Sequence, residues 1–100
     1  MEVVESPFGT LRPTLRAAKT VNSVFGSFMV ALQKLGELDQ NAFFVVIAAG
    51  LGKKVHEVED DVFAHGLPDL VSPCSDFVTL LANGGKPMKS VTSEDSNSGE

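Results

Sequence analysis

Residues 38–52 read LDQNAFFVVIAAGLG, and this stretch decides the class of the fold. Asp39 has the short acceptor side chain that favours an N-cap, and Leu38 and Phe43 have the spacing of a hydrophobic staple. Gly50 follows the apolar run at the position expected for a left-handed C′ residue, so the pattern predicts a helix at 40–49. The β-branched and aromatic residues 43–47 would also suit a buried strand, but the cap signals on both sides favour the helix.

The segment before this stretch predicts an amphipathic helix that is interrupted near its middle. Thr14 is a good N-cap, and Gly36 lies where a C′ residue is expected. Residues 20–26 include several poor helix formers, so we expect a break or a kink at Gly26, with Ser27 as the cap of a second helix. The apolar positions recur every three or four residues and form one stripe, which comprises Leu15, Ala18, Val21, Phe25, Phe28, Met29, Leu32 and Leu35.

Two further helices are predicted on the C-terminal side. Residues 55–65 are acidic at their start and are followed by Gly66, which suits a short helix with its negative charges near the N-terminus. Ser72 can cap a last helix, with Pro73 at its first position, that stops at residues 83–85, which read NGG. Most of these helices are shorter than about four turns, so their stability depends on tertiary packing.

The two ends of the chain differ in composition from the helical region. Residues 1–13 contain apolar side chains interrupted by Pro7, Gly9 and Pro13, which permits a short strand or hairpin or an extended arm. Residues 86–100 are rich in Ser, Asn, Gly and charged residues, so we expect a flexible, disordered tail. The sequence thus predicts a mostly α fold, with an arm at 1–13, a bundle of four to five short helices at 14–85 and the tail.

The charge balance and the single cysteine limit the classes of function. Eight Lys and Arg residues against thirteen Asp and Glu give a net charge of −5, which disfavours nucleic-acid binding. Cys74 alone cannot form an internal disulfide, and the first residues lack the features of a signal peptide, so we expect a cytoplasmic protein. The apolar run 42–51 has ten residues, about half of the roughly 20 that cross a bilayer, so no membrane span is predicted.

The charges are also unevenly distributed along the chain. Residues 1–36 carry four basic and two acidic groups, a net charge of +2, whereas residues 37–85 carry two basic and eight acidic groups, a net charge of −6. Such asymmetry can steer association with a partner or with a second copy of the chain. We expect instead that the first helix and the acidic helix neutralise each other within one molecule.

The acidic segment is the first candidate for a chemical site. His56 and Asp60, like Glu57 and Asp61, are four residues apart and would share a helix face that could bind a divalent metal. The segment lacks a second histidine, and carboxylates without ligands from elsewhere seldom hold a metal. We therefore interpret the segment as a solvated acidic face and predict no metal or other cofactor.

Cys74 is the second candidate for a chemical site. A thiol near a helix N-terminus can have a lowered pKa, but only His56 and His65 could act as its base. Nothing in the sequence brings either histidine beside it, so a half-buried structural thiol is the simpler interpretation. Residues 50–54, GLGKK, lack the spacing and the terminal Ser or Thr of a phosphate loop. We therefore predict that the protein is not an enzyme.

The order of these signals resembles that of a known family. A first helix ending in glycine is followed by an apolar helix ending in AAGL at 48–51, an acidic helix ending in GL at 66–67, and a final helix with Phe77, Leu80 and Leu81 before a glycine-rich exit. Over residues 14–85 this resembles the small tail proteins of gene transfer agents, tailed phages and prophages that are grouped with tail assembly chaperones. The resemblance implies a non-enzymatic protein without a cofactor that binds the tape-measure or tail tube protein, keeps tape-measure helices soluble and helps tube subunits to polymerise.

The predicted protein-binding surface consists of large apolar side chains beyond those that one small core needs. Met and aromatic side chains suit the adaptable docking of a partner helix. The alternative function is a helix-turn-helix transcriptional regulator or another phage-encoded interaction protein, but the candidate recognition helix at 55–65 is acidic. A small hydrolase that uses Cys74 ranks third. The predicted contact residues are Phe25, Phe28, Met29, Phe43 and Phe44.

Overall fold

The computed structural model describes residues 2–86, and this part of the chain is a bundle of short helices preceded by a β-hairpin. The mostly α fold predicted from the sequence is confirmed. The predicted flexible tail, 86–100, lies outside the described residues except for Lys86. The elements are β1 (Val4–Ser6), β2 (Gly9–Leu11), α1 (Leu15–Phe25), α2 (Phe28–Gly36), α3 (Gln40–Leu51), a 3-10 turn (Val55–Glu57), α4 (Glu59–His65), a second 3-10 turn (Pro68–Leu70) and α5 (Val71–Ala82).

The N-terminal arm forms an antiparallel hairpin, which is one of the two structures that its sequence permits. Val4 pairs with Leu11 and Ser6 with Gly9 across the two strands. The Ser6 hydroxyl donates a hydrogen bond of 2.7 Å to the Gly9 carbonyl oxygen and accepts one of 3.2 Å from the Phe8 N–H, which closes the turn. The hairpin places Leu11 in the core, where its side chain is fully buried.

Of the break and the kink that the sequence permits near Gly26, the structure has the break. Thr14 and Ser27 are both N-caps, because their hydroxyls accept hydrogen bonds from the N–H groups of Ala17 and Val30. Gly26 lies between the helices with a φ of 89°, a conformation that side chains with a Cβ rarely adopt. The chain therefore ends α1 at Phe25 and begins α2 at Phe28, with two residues between the helices.

Helix α3 begins as predicted and ends later than predicted. The Asp39 carboxylate accepts a hydrogen bond of 3.0 Å from the Asn41 N–H, so Asp39 is the N-cap. Gly50 is not the C′ residue. It lies inside the helix, which continues to Leu51, and Gly52 adopts the left-handed conformation instead, with a φ of 71°. Gly50 has a different role, because a Cβ built on it would lie only 2.8 Å from Leu11 Cβ.

Three other predicted boundaries are wrong. Gly36 is the last residue of α2, and the left-handed residue before α3 is Leu38, with a φ of 61°. The predicted helix at 55–65 is divided into a 3-10 turn and α4, which begins at Glu59. Ser72 is not an N-cap, because the second 3-10 turn leads directly into α5 at Val71 and Pro73 fits within its first turn, where a backbone N–H is not required.

The core is built around α3, which packs against each of the other four α-helices and against β2. The largest fully buried side chains include Phe43 and Ile47 of α3 and Phe77 of α5. The two ends of the described chain meet, since the Glu2 N–H donates a hydrogen bond of 3.3 Å to the Gly85 carbonyl oxygen. The hairpin and the last helix thus lie side by side.

Candidate functional site

The two α3 phenylalanines of the predicted binding surface belong to the core. Phe43 is 0% exposed and Phe44 is 6% exposed. Both are enclosed because neighbouring elements surround α3, and a partner cannot reach them in this conformation. The sequence contains a signal for this outcome, since a helix that is apolar on every face, as at residues 42–51, is usually buried.

The other three predicted contact residues lie together where α1 meets α2. Met29 is 71% exposed, and the rings of Phe25 and Phe28 are half-buried, with one part packed against the core. Val24, which the sequence analysis did not select, is 56% exposed beside them in the chain. We call Val24, Phe25, Phe28 and Met29 the α1–α2 corner. The signal that could have identified Val24 is its position off the apolar stripe of α1, which leaves it facing solvent.

Large apolar side chains are also exposed elsewhere, but in isolation along the chain. Leu15, at the start of α1, is 72% exposed, and Phe63, on α4, is 71% exposed. Single exposed apolar residues are common on folded proteins and need no functional explanation. The α1–α2 corner differs because four apolar side chains occur within six consecutive residues at one bend of the chain.

Cys74 lies on the buried side of α5 and lacks the surroundings of a nucleophile. Burial raises the pKa of its thiol from 9.0 to about 12, the opposite of the change that activates a cysteine. Within residues 2–86, no side chain or backbone group forms a hydrogen bond with its sulfur. His56 is exposed on the first 3-10 turn, and His65 packs edge-on against the Phe8 ring with the ring centroids 5.5 Å apart.

We expect the folded protein to resist alkylation of Cys74. At mildly alkaline pH the buried thiol stays protonated, so iodoacetamide should react at least about a hundredfold more slowly than it does with the urea-unfolded chain. Mass spectrometry of samples quenched over time measures both rates. Rapid, stoichiometric alkylation of the folded protein would contradict the burial of this residue.

The acidic segment is exposed to solvent and brings no metal ligands together. His56, Glu57, Asp60 and Asp61 are all exposed, and the described chain contains no cluster of three or more His, Cys, Asp or Glu side chains that could hold a metal. Asp60 and Asp61 lie in the first turn of α4, together with Glu59, where negative charge favours the helix. The same charges would face the phosphates of DNA if α4 were a recognition helix, so this arrangement gives no support to a helix-turn-helix function.

Among residues 2–86, no helix has both the length and the apolar character that a membrane span requires.

Comparisons of the chain with protein-family models, with curated proteins and with solved structures gave no match. The resemblance to tail assembly chaperones therefore stays a prediction, and the function has to be argued from the α1–α2 corner and from the charge distribution.

Proposed function

We propose that this chain is a non-enzymatic protein-binding module of the tail assembly chaperone type, whose α1–α2 corner binds an apolar helical segment of a tape-measure or tail tube protein. The observation that carries this proposal is the exposure of Met29 and Val24 next to two half-buried phenylalanine rings. The proposal is compatible with the buried, inactivated thiol of Cys74 and with the absence of a metal-binding cluster from residues 2–86.

The corner has the physical properties that favour docking of an apolar helix. Covering exposed apolar surface contributes roughly 25 cal/mol per Å², and the rings of Phe25 and Phe28 are already held in position by the core. Met29 has a flexible thioether side chain that can adapt to different partner residues. Ser27 lies between Phe25 and Phe28 in the chain, and its hydroxyl accepts a hydrogen bond from the Val30 N–H. A partner that covers the corner therefore does not leave this oxygen without a hydrogen bond.

A net charge of −5 supports the same role in a different way. A protein that exposes apolar surface tends to associate with itself, and net charge opposes that association. The acidic side chains of α4 are exposed, so they can repel other copies of the chain in solution. A long apolar partner helix bound at the corner would be kept soluble by this charge.

Co-expression tests the function directly. The chain should be produced with the tape-measure and tail tube proteins of the genome that encodes it, and each should also be produced without it. We expect one of these proteins to be recovered in the soluble fraction in a complex with this chain, and to aggregate without it. If the folded chain retains neither protein and does not change their solubility, the proposal is wrong.

Two matched variants test whether the corner is the contact surface. Met29 and Phe63 are both 71% exposed, but only Met29 belongs to the corner. Met29→Gln should weaken partner binding by about tenfold or more, because it removes a central apolar contact, whereas Phe63→Gln should leave binding nearly unchanged. Binding is measured by calorimetry after thermal unfolding has shown that both variants are folded. Equal effects of the two substitutions would contradict the location of the surface.

A further inference from the structure

A groove with basic walls lies between the first turns of α1 and the C-terminal end of α3. Arg16 comes from α1, and Lys53 and Lys54 come from the loop that follows α3. The floor between them is apolar and includes Ala17 and Ala48. The groove has a volume of about 380 Å³, and every charged residue that lines it is basic. Residues far apart in the sequence therefore concentrate positive charge in one place on an acidic protein.

The basic side chains that line this groove have no ion-pair partner in the described part of the protein. Arg16 of α1 forms no ion pair with the acidic segment, and Lys53 and Lys54 form none with any acidic residue between positions 2 and 86. The Glu57 carboxylate accepts a hydrogen bond of 3.4 Å from the Lys54 backbone N–H, but Glu57 does not line the groove. Three like charges repel one another, and an anion with more than one charge relieves that repulsion.

The backbone holds the two walls in fixed positions. Gly52 ends α3, and the Lys53 N–H donates a hydrogen bond of 2.9 Å to the Ala48 carbonyl oxygen, which folds the lysine pair back towards the helix. On the other wall, Arg16 lies within the first turn of α1, which Thr14 caps. The cations are therefore carried by ordered backbone on both sides, which lowers the cost of ordering a ligand between them.

We propose that this groove binds the phosphate group of a small phosphate ester or diphosphate. The planar guanidinium of Arg16 suits two phosphate oxygens, and the two lysines supply further positive charge. Thr14 and Thr20 also line the groove, and its apolar floor gives contact surface for the organic part of the molecule. The volume falls within the range of about 300–1,000 Å³ that is usual for small-molecule sites.

The acidic surroundings favour a small ligand over a long polyanion. The 3-10 turn that follows Lys54 leads into α4, whose first turn exposes Glu59, Asp60 and Asp61. A nucleic acid carries many phosphates, so this exposed negative charge repels it more strongly than it repels a single phosphate ester. The site is separate from the α1–α2 corner and goes beyond the proposed protein-binding function.

Nuclear magnetic resonance titration of the full chain tests this proposal. Inorganic phosphate and adenosine monophosphate are added separately while the backbone amide signals are followed. We expect saturable shifts at Thr20, Gly52, Lys53 and Lys54 with both probes, and tighter binding of adenosine monophosphate because its organic part covers the apolar floor. Shifts that do not saturate, or that spread evenly over the exposed lysines and arginines, would overturn the proposal.

Two variants of α1 separate a built site from general charge attraction. Arg16→Gln and Lys19→Gln each remove one positive charge from α1, but only Arg16 lines the groove. We expect Arg16→Gln to weaken binding of adenosine monophosphate by about tenfold, and Lys19→Gln by less than about twofold. Equal weakening would overturn the proposal, as would tighter binding of a DNA oligonucleotide at equal phosphate concentration. Should Arg16→Gln fail to fold, the pair Lys53→Gln and Lys54→Gln carries the same expectation.

Discussion

Replacing Phe43 by alanine is expected to lower the free energy of unfolding by about 3 to 5 kcal/mol. Phe43 is fully buried on α3, the helix that contacts all the other helices, so its loss removes a large apolar contact and leaves a cavity. Small domains are stable by only about 5–15 kcal/mol, so this loss is a large fraction of the total stability. Urea denaturation followed by far-ultraviolet circular dichroism measures the change.

A second substitution distinguishes the core from the proposed binding surface. Met29→Ala should change the free energy of unfolding by no more than about 0.5 kcal/mol, because this side chain is 71% exposed. Phe43→Leu should be intermediate, with a cost of about 1 kcal/mol, since it preserves most of the buried volume. If Phe43→Ala and Met29→Ala had the same small effect, the assignment of Phe43 to the core would be wrong.

The second large effect is expected at Gly50, where α3 contacts the hairpin. An alanine Cβ at this position would lie 2.8 Å from both Leu11 Cβ and Leu11 Cδ2, and 3.2 Å from Leu11 Cα. Leu11 cannot avoid it by turning its side chain, so β2 has to move, although the Arg12 N–H is bonded to the Gly50 carbonyl oxygen at 2.9 Å. Such overpacking costs about 1–3 kcal/mol.

The sign of the Gly50→Ala effect follows from two opposing contributions. Alanine favours a helix over glycine by roughly 0.5–1 kcal/mol, which partly offsets the clash. We therefore expect a net loss of about 1–2 kcal/mol, together with faster amide exchange in the hairpin. Chemical denaturation and hydrogen exchange measure these two changes.

Gly36 provides the matched control for this prediction. It is also a helical glycine, but a Cβ added to it would meet no atom within 4 Å. Gly36→Ala should therefore stabilise the protein by up to about 1 kcal/mol, because only the gain in helix propensity applies. Stabilisation of similar size by Gly50→Ala would show that the hairpin does not press on α3.

Features that depend on neighbouring residues in the sequence could be predicted. Thr14, Ser27 and Asp39 each have a short side chain with an acceptor oxygen before an apolar segment, and all three cap helices. The bend at Gly26 was predictable for the same reason, because residues 20–26 are weak helix formers on their own.

Features that depend on distant contacts could not be predicted in this way. Gly50 has the sequence signature of a helix end, yet it is a glycine inside α3 because Leu11 packs against it from the hairpin. Ser72 has the signature of an N-cap, but the 3-10 turn at Pro68–Leu70 already supplies a helical lead into α5. At Gly50 a tertiary contact replaced the local preference, and at Ser72 the preceding turn did so.

The candidate sites show the same difference between features set by neighbouring residues and features set by distant contacts. The sequence was sufficient to select Met29 as an apolar contact residue on α2, and Met29 is exposed. The burial of Phe44 could not be predicted in this way, because it depends on the elements that surround α3. Lys53 and Lys54 are recognisable as a basic pair, whereas the presence of Arg16 opposite them depends on how α1 packs against α3. Surfaces built from one segment are therefore easier to predict than those assembled from two.

The hydrogen bond between Glu2 and Gly85 has a consequence for how the domain can be joined to other polypeptides. A chain fused before Glu2 and a chain fused after Gly85 would leave the domain from neighbouring points. The domain could thus be inserted into a surface loop of a host protein with little separation of the loop ends.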